Sequence, residues 1–212
     1  MTNLWDERAA AYVESDAHRG GEDLEQLVAW AAGAQTALDV ATGGGHVARR
    51  LREEGLDVLT LDPSPSMKPD VVARAEHIPF ADASFDAVAC RTAAHHFADP
   101  AGAVREMARV SRDRVLLVDT EFMGEDVEQA EALRDPSHIR NYSEAEWRAF
   151  AEAAGLRVEA VEHFEHSFDL AAWLARTGCE GEEAERAVAL LGDRARDGRL
   201  TLRKIALKTV KA

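Results

Sequence analysis

The stretch LDVATGGGHVARRL, residues 38–51, constrains this chain more than any other: an apolar strand runs into three consecutive glycines and then into a helical pattern. Removing three successive side chains makes sense where something must come close to the backbone. Gly43, Gly44 and Gly45 stand between a strand's C-terminal end and a helix N-terminus. Such a turn offers a ligand unobstructed N–H groups and the positive end of the helix dipole. Asp39, inside the strand, is placed to brace the turn from below. DVLTLD at 57–62 reads as a second buried strand. Asp62 ends it about 20 residues after the turn, where nucleotide-binding βαβ units put the carboxylate that accepts both hydroxyls of a ribose. Together the two features ask for a nucleoside.

Repetition of this unit sets the fold class as α/β. Leu24, Leu27, Val28 and Ala31 recur at helical spacing, so 22–32 reads as an amphipathic helix ended by Gly33, and 46–54 as a short helix closed by Gly55. Further strands are expected at 71–75 (VVARA), 85–91 (FDAVACR) and 115–122 (VLLVDTEF), with Asp99-Pro100 as cap and first residue of a helix to about 110. Ser143 and Glu146 form a Ser-x-x-Glu capping box ahead of the stripe Trp147, Phe150, Ala151 and Ala154. The stretch 156–164 is β-rich, 182–192 is helical, and the chain ends in the β-like TLRKIALKTVKA; strands without a long crossover between them predict an antiparallel pair.

A chain of 212 residues, 46% hydrophobic, can bury one substantial core. A single domain over 1–212 is expected, with N-terminal cap helices at 1–33, a cofactor-binding core at 34–122, and a lid segment with the C-terminal strands at 123–212. The formal net charge of −14, from 39 acidic against 25 basic residues, repels phosphate backbones and anionic membranes, so neither nucleic acid nor membrane is an expected partner. MTNLWDERAA lacks the order of a signal peptide, and no apolar run reaches the roughly 20 residues of a membrane span, which predicts a soluble, cytoplasmic protein. Cys90 and Cys179 show no Cys-x-x-Cys spacing, and His163, Glu165 and His166 do not share one strand face, so no metal is expected.

The turn also satisfies the dinucleotide fingerprint as Gly43-x-Gly45-x-x-Ala48, which leaves NAD and S-adenosylmethionine both open. The run IPFADASFDAVACRTAAHHFADPAGAVREMARV at 78–110 separates them. It resembles the class I S-adenosylmethionine-dependent methyltransferases, specifically the ubiquinone-biosynthesis-like small-molecule group (methyltransferase domain type 11). There it is similar to LPF-x-D-x-SFD-x-V, then HHF-x-DP, then a helix ending E-x-x-RV. RDPSHIRNYSEAEWRAFAEAAGLRV continues the likeness, which covers about residues 10–165.

The resemblance implies a Rossmann-like fold: a mostly parallel seven-stranded sheet with an antiparallel last strand and helices on both faces. It implies S-adenosyl-L-methionine as cofactor, S-adenosyl-L-homocysteine as product, a small-molecule methyl acceptor, and a monomer or homodimer. Gly43, Gly44 and Gly45, with Asp39 and Thr42 about the turn, would bed the methionine and ribose portion, and Asp62, followed by Pro63, would clamp the ribose. Ala75 and Glu76 would run along the adenine edge, Arg91 and Thr92 would flank the sulfonium, and Tyr12 would cover the methionyl moiety.

Two departures from the family pattern matter. Only about a dozen residues separate Asp62 from Ala75, and Pro63, Pro65 and Pro69 fall among them, so the helix usual between strands two and three is expected to be a turn, leaving the adenine side more open. The aspartate that commonly accepts the adenine amino group appears as Arg74, which has no acceptor, so Glu76 or a backbone carbonyl must replace it. VSRDRV also replaces the glycine-rich turn before the fifth strand.

A sulfonium is already an activated methyl donor, so the protein chiefly aligns the acceptor, and a base is needed only when a proton must leave. His95 and His96 stand at the sheet's C-terminal edge and are candidate bases, with packing or cofactor contact as the alternative. In DPSHIRNY, His138 could move a proton and Arg140 could pair an acidic group; the two could equally orient a short turn. Tyr142, Trp147 and Trp173 could wall an aromatic or prenylated acceptor, although Trp147 belongs to a helix's apolar stripe. Three readings follow: methyl transfer to an O, N or C atom of a small molecule; a cofactor-binding regulatory or partner protein of the same fold without transfer chemistry; or an NAD-linked oxidoreductase.

Overall fold

The computed structural model describes residues 19–212, so Tyr12 lies outside the described residues. The five-residue strand β1 (Thr36–Val40) is buried beyond its first residue, as expected of a strand covered on both faces. Around it β2 (Asp57–Asp62) and β4 (Phe85–Arg91) pair in parallel, β3 (Val71–Val72) extends β2, and β5 (Ser111–Thr120) extends β4. The last long strand, β8 (Arg199–Lys211), inserts antiparallel between β5 and β6 (Leu156–Asp169). The sheet order is β3-β2-β1-β4-β5-β8-β6, with the two-residue β7 (Ala195–Arg196) pairing β8 beside this path. The order reverses at β1, where open α/β sheets form a crevice at the strands' carboxyl ends.

Helices cover both faces. On one side α1 (Glu22–Trp30) and α2 (His46–Glu53) bury Leu24, Leu27, Val47 and Leu51 against Leu116, Val118 and Ala206. On the other, α3 (Pro100–Val110) and α5 (Glu144–Ala153) bury Val104, Met107, Trp147 and Ala151 against Val88 and Leu117. Both expected caps form: Asp99 accepts the Gly102 N–H, and Ser143 with Glu146 closes a reciprocal capping box. A third cluster joins α4 (Glu125–Arg134), α6 (Leu170–Ala175) and α7 (Gly181–Leu191) to Leu200 and Leu202 of β8.

Three expectations change in extent. The strand expected over 71–75 shrinks to Val71–Val72 because the chain reaches the sheet edge from a proline-rich turn, a 3₁₀ segment at Pro65–Met67. Asp70 fastens that turn by accepting the Thr60 N–H and hydroxyl. β5 starts at Ser111 rather than 115, directly from α3, and β6 runs past 164 to Asp169 because it stays paired with β8 throughout. Helices α4 and α6 were not foreseen; α4 carries Glu131 and Arg134 on its buried side, which obscures its apolar stripe. Among the described residues, no helix is long and apolar enough to cross a membrane, and no group of His, Cys, Asp and Glu is arranged to hold a metal.

Candidate functional site

The glycine turn is built from Asp39 upward. Its buried Oδ2 accepts from Thr42 Oγ1 at 2.5 Å and from the Ala48 N–H at 3.1 Å, tying the end of β1 to the first turn of α2. Burial pushes the Asp39 carboxyl up to about 6. Gly43 and Gly45 adopt φ of 50° and 72°, where side chains are disfavoured, and a Cβ at either would project into open space. Glycine is therefore required by the turn's conformation, and it also leaves the approach clear.

Asp62 comes to the same place from β2. One carboxylate oxygen accepts the Gly43 N–H at 3.0 Å and the other the Ser64 N–H at 2.9 Å, while burial raises the carboxyl's pKa. A carboxylate has about four acceptor positions, so each oxygen can still take a hydroxyl. Asp62 and Gly43 line a cavity of about 130 Å³ continued by Pro63, Met67, Ala75 and Phe97 on its apolar sides and by Arg74 and Glu76 at its far edge. Arg74 bonds Glu76 at 3.3 Å and is itself well exposed; Glu76 keeps its carboxylate in the cavity wall.

Thr92 and His96 form a wall shared with a second cavity of about 60 Å³. Thr92, just beyond β4, holds φ of 55° with its N–H on the Val118 carbonyl at 2.7 Å. A β-branched residue in this region is strained, and such strain concentrates at functional sites. His95 lines the second cavity. Its Nδ1 meets Asp119 Oδ1 at 2.6 Å, and its backbone N–H donates to the other oxygen at 3.1 Å. Burial alone would lower the His95 pKa, but Asp119 raises it overall, and His95 in turn lowers the buried Asp119. An ionised Asp119 requires Nδ1 to be the donor, which leaves Nε2 to take a proton. His96, its ring centroid 4.1 Å from that of His95 and tilted by 51°, is driven down to about 3 by burial and by that neighbour.

The remaining lining of the second cavity comes from elements far apart in sequence. Glu131 and Arg134 come from α4, His166 and Phe168 from β6, Trp173 and Arg176 from the α6 region, and Leu202 and Lys204 from β8. Arg134 lies 4.7 Å over the Trp173 ring. Lys204 bonds Asp23 at 3.0 Å and Thr92 Oγ1 at 3.4 Å, and burial pulls its pKa down to about 8. His166 is pulled down to about 4 by burial and then by Lys204, so it is neutral at ordinary pH. Of this lining, the sequence points to Thr92, His95, His96 and Trp173 as site candidates, and to His166 only as one of three strand residues whose faces argue against a metal. Two signals were nevertheless present: Lys204 interrupts the inward-facing series Leu200, Leu202 and Ala206, and Glu131 and Arg134 continue the helical stripe of Val127 and Ala130.

Several named residues stand elsewhere. Arg91 turns to α1, donating to Asp23 from Nε at 2.8 Å and from Nη2 at 3.2 Å, and lines neither cavity. His138 meets Glu128 at 3.0 Å and packs its ring 5.7 Å from His95, behind the second cavity. Arg140 pairs with Glu146 at 2.8 Å and is 45% exposed, while Tyr142 packs edge-on against Trp147 and Phe150 in the core. His163 bonds Glu121 and Glu144 away from His166.

The family model described as a methyltransferase domain matches residues 38–118, the span from β1 to β5 that carries the turn, Asp62 and the two histidines. The methyltransferase YcgJ of Bacillus subtilis (strain 168) is 31% identical over 227 residues, covering 93% of this chain and 89% of its own length. A crystal structure from Bacillus halodurans C-125, described as a candidate methyltransferase, superposes with a TM-score of 0.80 at 30% identity, covering 90% of this chain and 99% of that one. The 1,6-didemethyltoxoflavin-N1-methyltransferase of Burkholderia thailandensis, with S-adenosylhomocysteine bound, shares the fold at a TM-score of 0.63 and 14% identity, over 99% of this chain and 87% of that one. With a relative this similar over nearly all of both chains, and a mostly parallel sheet with antiparallel C-terminal strands, the chain belongs to the class I S-adenosylmethionine-dependent methyltransferase family.

Proposed function

We propose that this protein transfers a methyl group from S-adenosylmethionine to an O, N or C atom of a small molecule. The observation that carries the reading is Asp62: a buried carboxylate facing the glycine turn, each oxygen fixed by one backbone N–H and able to accept a further hydroxyl. That arrangement fits a ribose. The turn of Gly43, Gly44 and Gly45, braced through Thr42 by Asp39, would bed the ribose and methionyl portion at the N-terminus of α2. Pro63, Met67, Ala75 and Phe97 supply apolar surface for an adenine, and Glu76 supplies the acceptor that Arg74 cannot. When bound, S-adenosylmethionine supplies an electrophilic methyl group on a sulfonium, leaving S-adenosylhomocysteine.

The chain's own residues then have two tasks. Thr92 and His96 hold the wall between the cofactor-side cavity and the one that receives the acceptor. His95, oriented by Asp119, takes the proton from an acceptor whose O–H, N–H or C–H bond must break as the methyl bond forms. A base whose pKa lies far below the working pH takes up a proton poorly, which disfavours His96 at about 3 and leaves His95.

Isothermal titration of one sample with S-adenosylmethionine, S-adenosylhomocysteine and NAD tests the cofactor. Micromolar binding of the first two without NAD is expected. Binding of NAD alone would restore the oxidoreductase, and binding of none would leave a partner protein of the same fold.

A further inference from the structure

The protein as a whole carries a net charge of −14, yet the cavity beyond Thr92 and His96 is lined by buried cations. Arg134 and Lys204 are each at least nine-tenths buried, and burying charge costs free energy unless it is fully paired. Among the described residues neither cation's pairing is complete. Lys204 is the second cation on Asp23, whose two oxygens already receive Arg91. Among the described residues Arg134 meets carboxylates through Nη2, at 3.3 Å from Glu131 and 3.7 Å from Asp135, and its buried Nε and Nη1 have no hydrogen-bond partner there. Native structures seldom leave buried donors unmatched without a functional reason.

The other walls describe the rest of the occupant. Trp173, Phe168 and Leu202 present apolar surface, and the Arg134 guanidinium lies over the Trp173 ring. Glu131, also in the lining, disfavours a group with two negative charges. A volume of about 60 Å³ suits a small group or one end of a molecule.

We infer that the methyl acceptor is a carboxylic acid with a compact apolar body, its carboxylate recognised by Arg134 and Lys204 and its reacting atom directed toward Thr92 and His96. This rests on the methyl-transfer reading and names its substrate class.

Titrating the full chain, saturated with S-adenosylhomocysteine, with benzoate and butyrate and with the matching amides tests it. The carboxylates should bind at least about tenfold more tightly than the amides, because only they bring a negative charge and two acceptor oxygens to the two cations. Arg134→Gln and Lys204→Met should each reduce that preference to under about threefold while S-adenosylhomocysteine affinity stays within about twofold. Equal binding of acid and amide by the unmodified protein, or no binding of either by a sample that binds S-adenosylhomocysteine, overturns the inference. A sample that ignores S-adenosylhomocysteine but keeps the carboxylate preference overturns the cofactor reading alone. Because the acid-to-amide comparison uses the unmodified protein, it decides the question even where a variant fails to fold.

Discussion

On one side of Thr92 and His96, the cavity is formed largely by the backbone and small side chains of the segments that follow β1, β2 and β4. On the other, charged and aromatic side chains from the ends of β4 and β5, from α4, β6 and α6, and from β8 converge on a smaller space. The first arrangement suits a ligand recognised through hydroxyls and flat apolar surface, which a glycine turn and one carboxylate can serve. The second suits a ligand recognised by charge. A scaffold can keep the first fixed while side chains lining the second are exchanged without altering the backbone pairing of β6 and β8.

The separation is broken most visibly at His95. His95→Gln should lower kcat by about 100-fold or more for an acceptor that loses a proton, with the Kd for S-adenosylmethionine within about twofold. Equal losses in turnover and cofactor affinity would make His95 part of the cofactor wall. Asp62→Ala works from the other side. It should weaken S-adenosylmethionine and S-adenosylhomocysteine about tenfold or more, measured by calorimetry, by deleting the acceptor of both ribose hydroxyls and releasing the Gly43 N–H. Unchanged affinity would remove the ribose assignment.

The same contrast explains what could be read from the sequence. Gly43, Gly45 and Asp62 are separated by one βαβ unit, and Asp99-Pro100 and Ser143–Glu146 are signals within four residues, so local spacing carries them. Arg91 was legible as a residue at a strand end, but its partner Asp23 is 68 positions away, and nothing local says which way the guanidinium turns. Arg134 and Lys204 carry signals only as charges on otherwise buried faces, which become meaningful once α4 and β8 are known to face one space. Arg140 illustrates the opposite hazard: a cation on the expected lid finds a local partner in Glu146.

Two smaller effects sharpen the comparison. The His95–Asp119 pair stabilises the fold most between the two groups' ordinary values. His95, raised from 6.5, contributes fully below that value and loses its contribution as pH rises through its folded pKa, while Asp119, lowered from 3.8, contributes above that value and loses its contribution on acidification. The thermal destabilisation caused by Asp119→Asn should therefore be larger at about pH 5 than at about pH 9, and a penalty independent of pH would show that the pair's charge does not matter. Arg140→Ala should change the acceptor KM by less than about twofold, as befits an exposed ion pair, and a larger change would draw the acceptor cavity outward to that residue.

The contact between Lys204 and Asp23 spans 181 positions, and β8 supplies the strand between β5 and β6. Synthesis from the N-terminus thus makes the glycine turn and Asp62 early, while the strand that completes the sheet emerges after all the other described strands. Until then the free edge of β5 has no partner, and Asp23 and Arg91 lack their third member. A nascent chain can assemble the nucleoside half well before it is able to form the cationic chamber, and translation arrested before residue 199 would leave an exposed strand edge open to pairing with another chain.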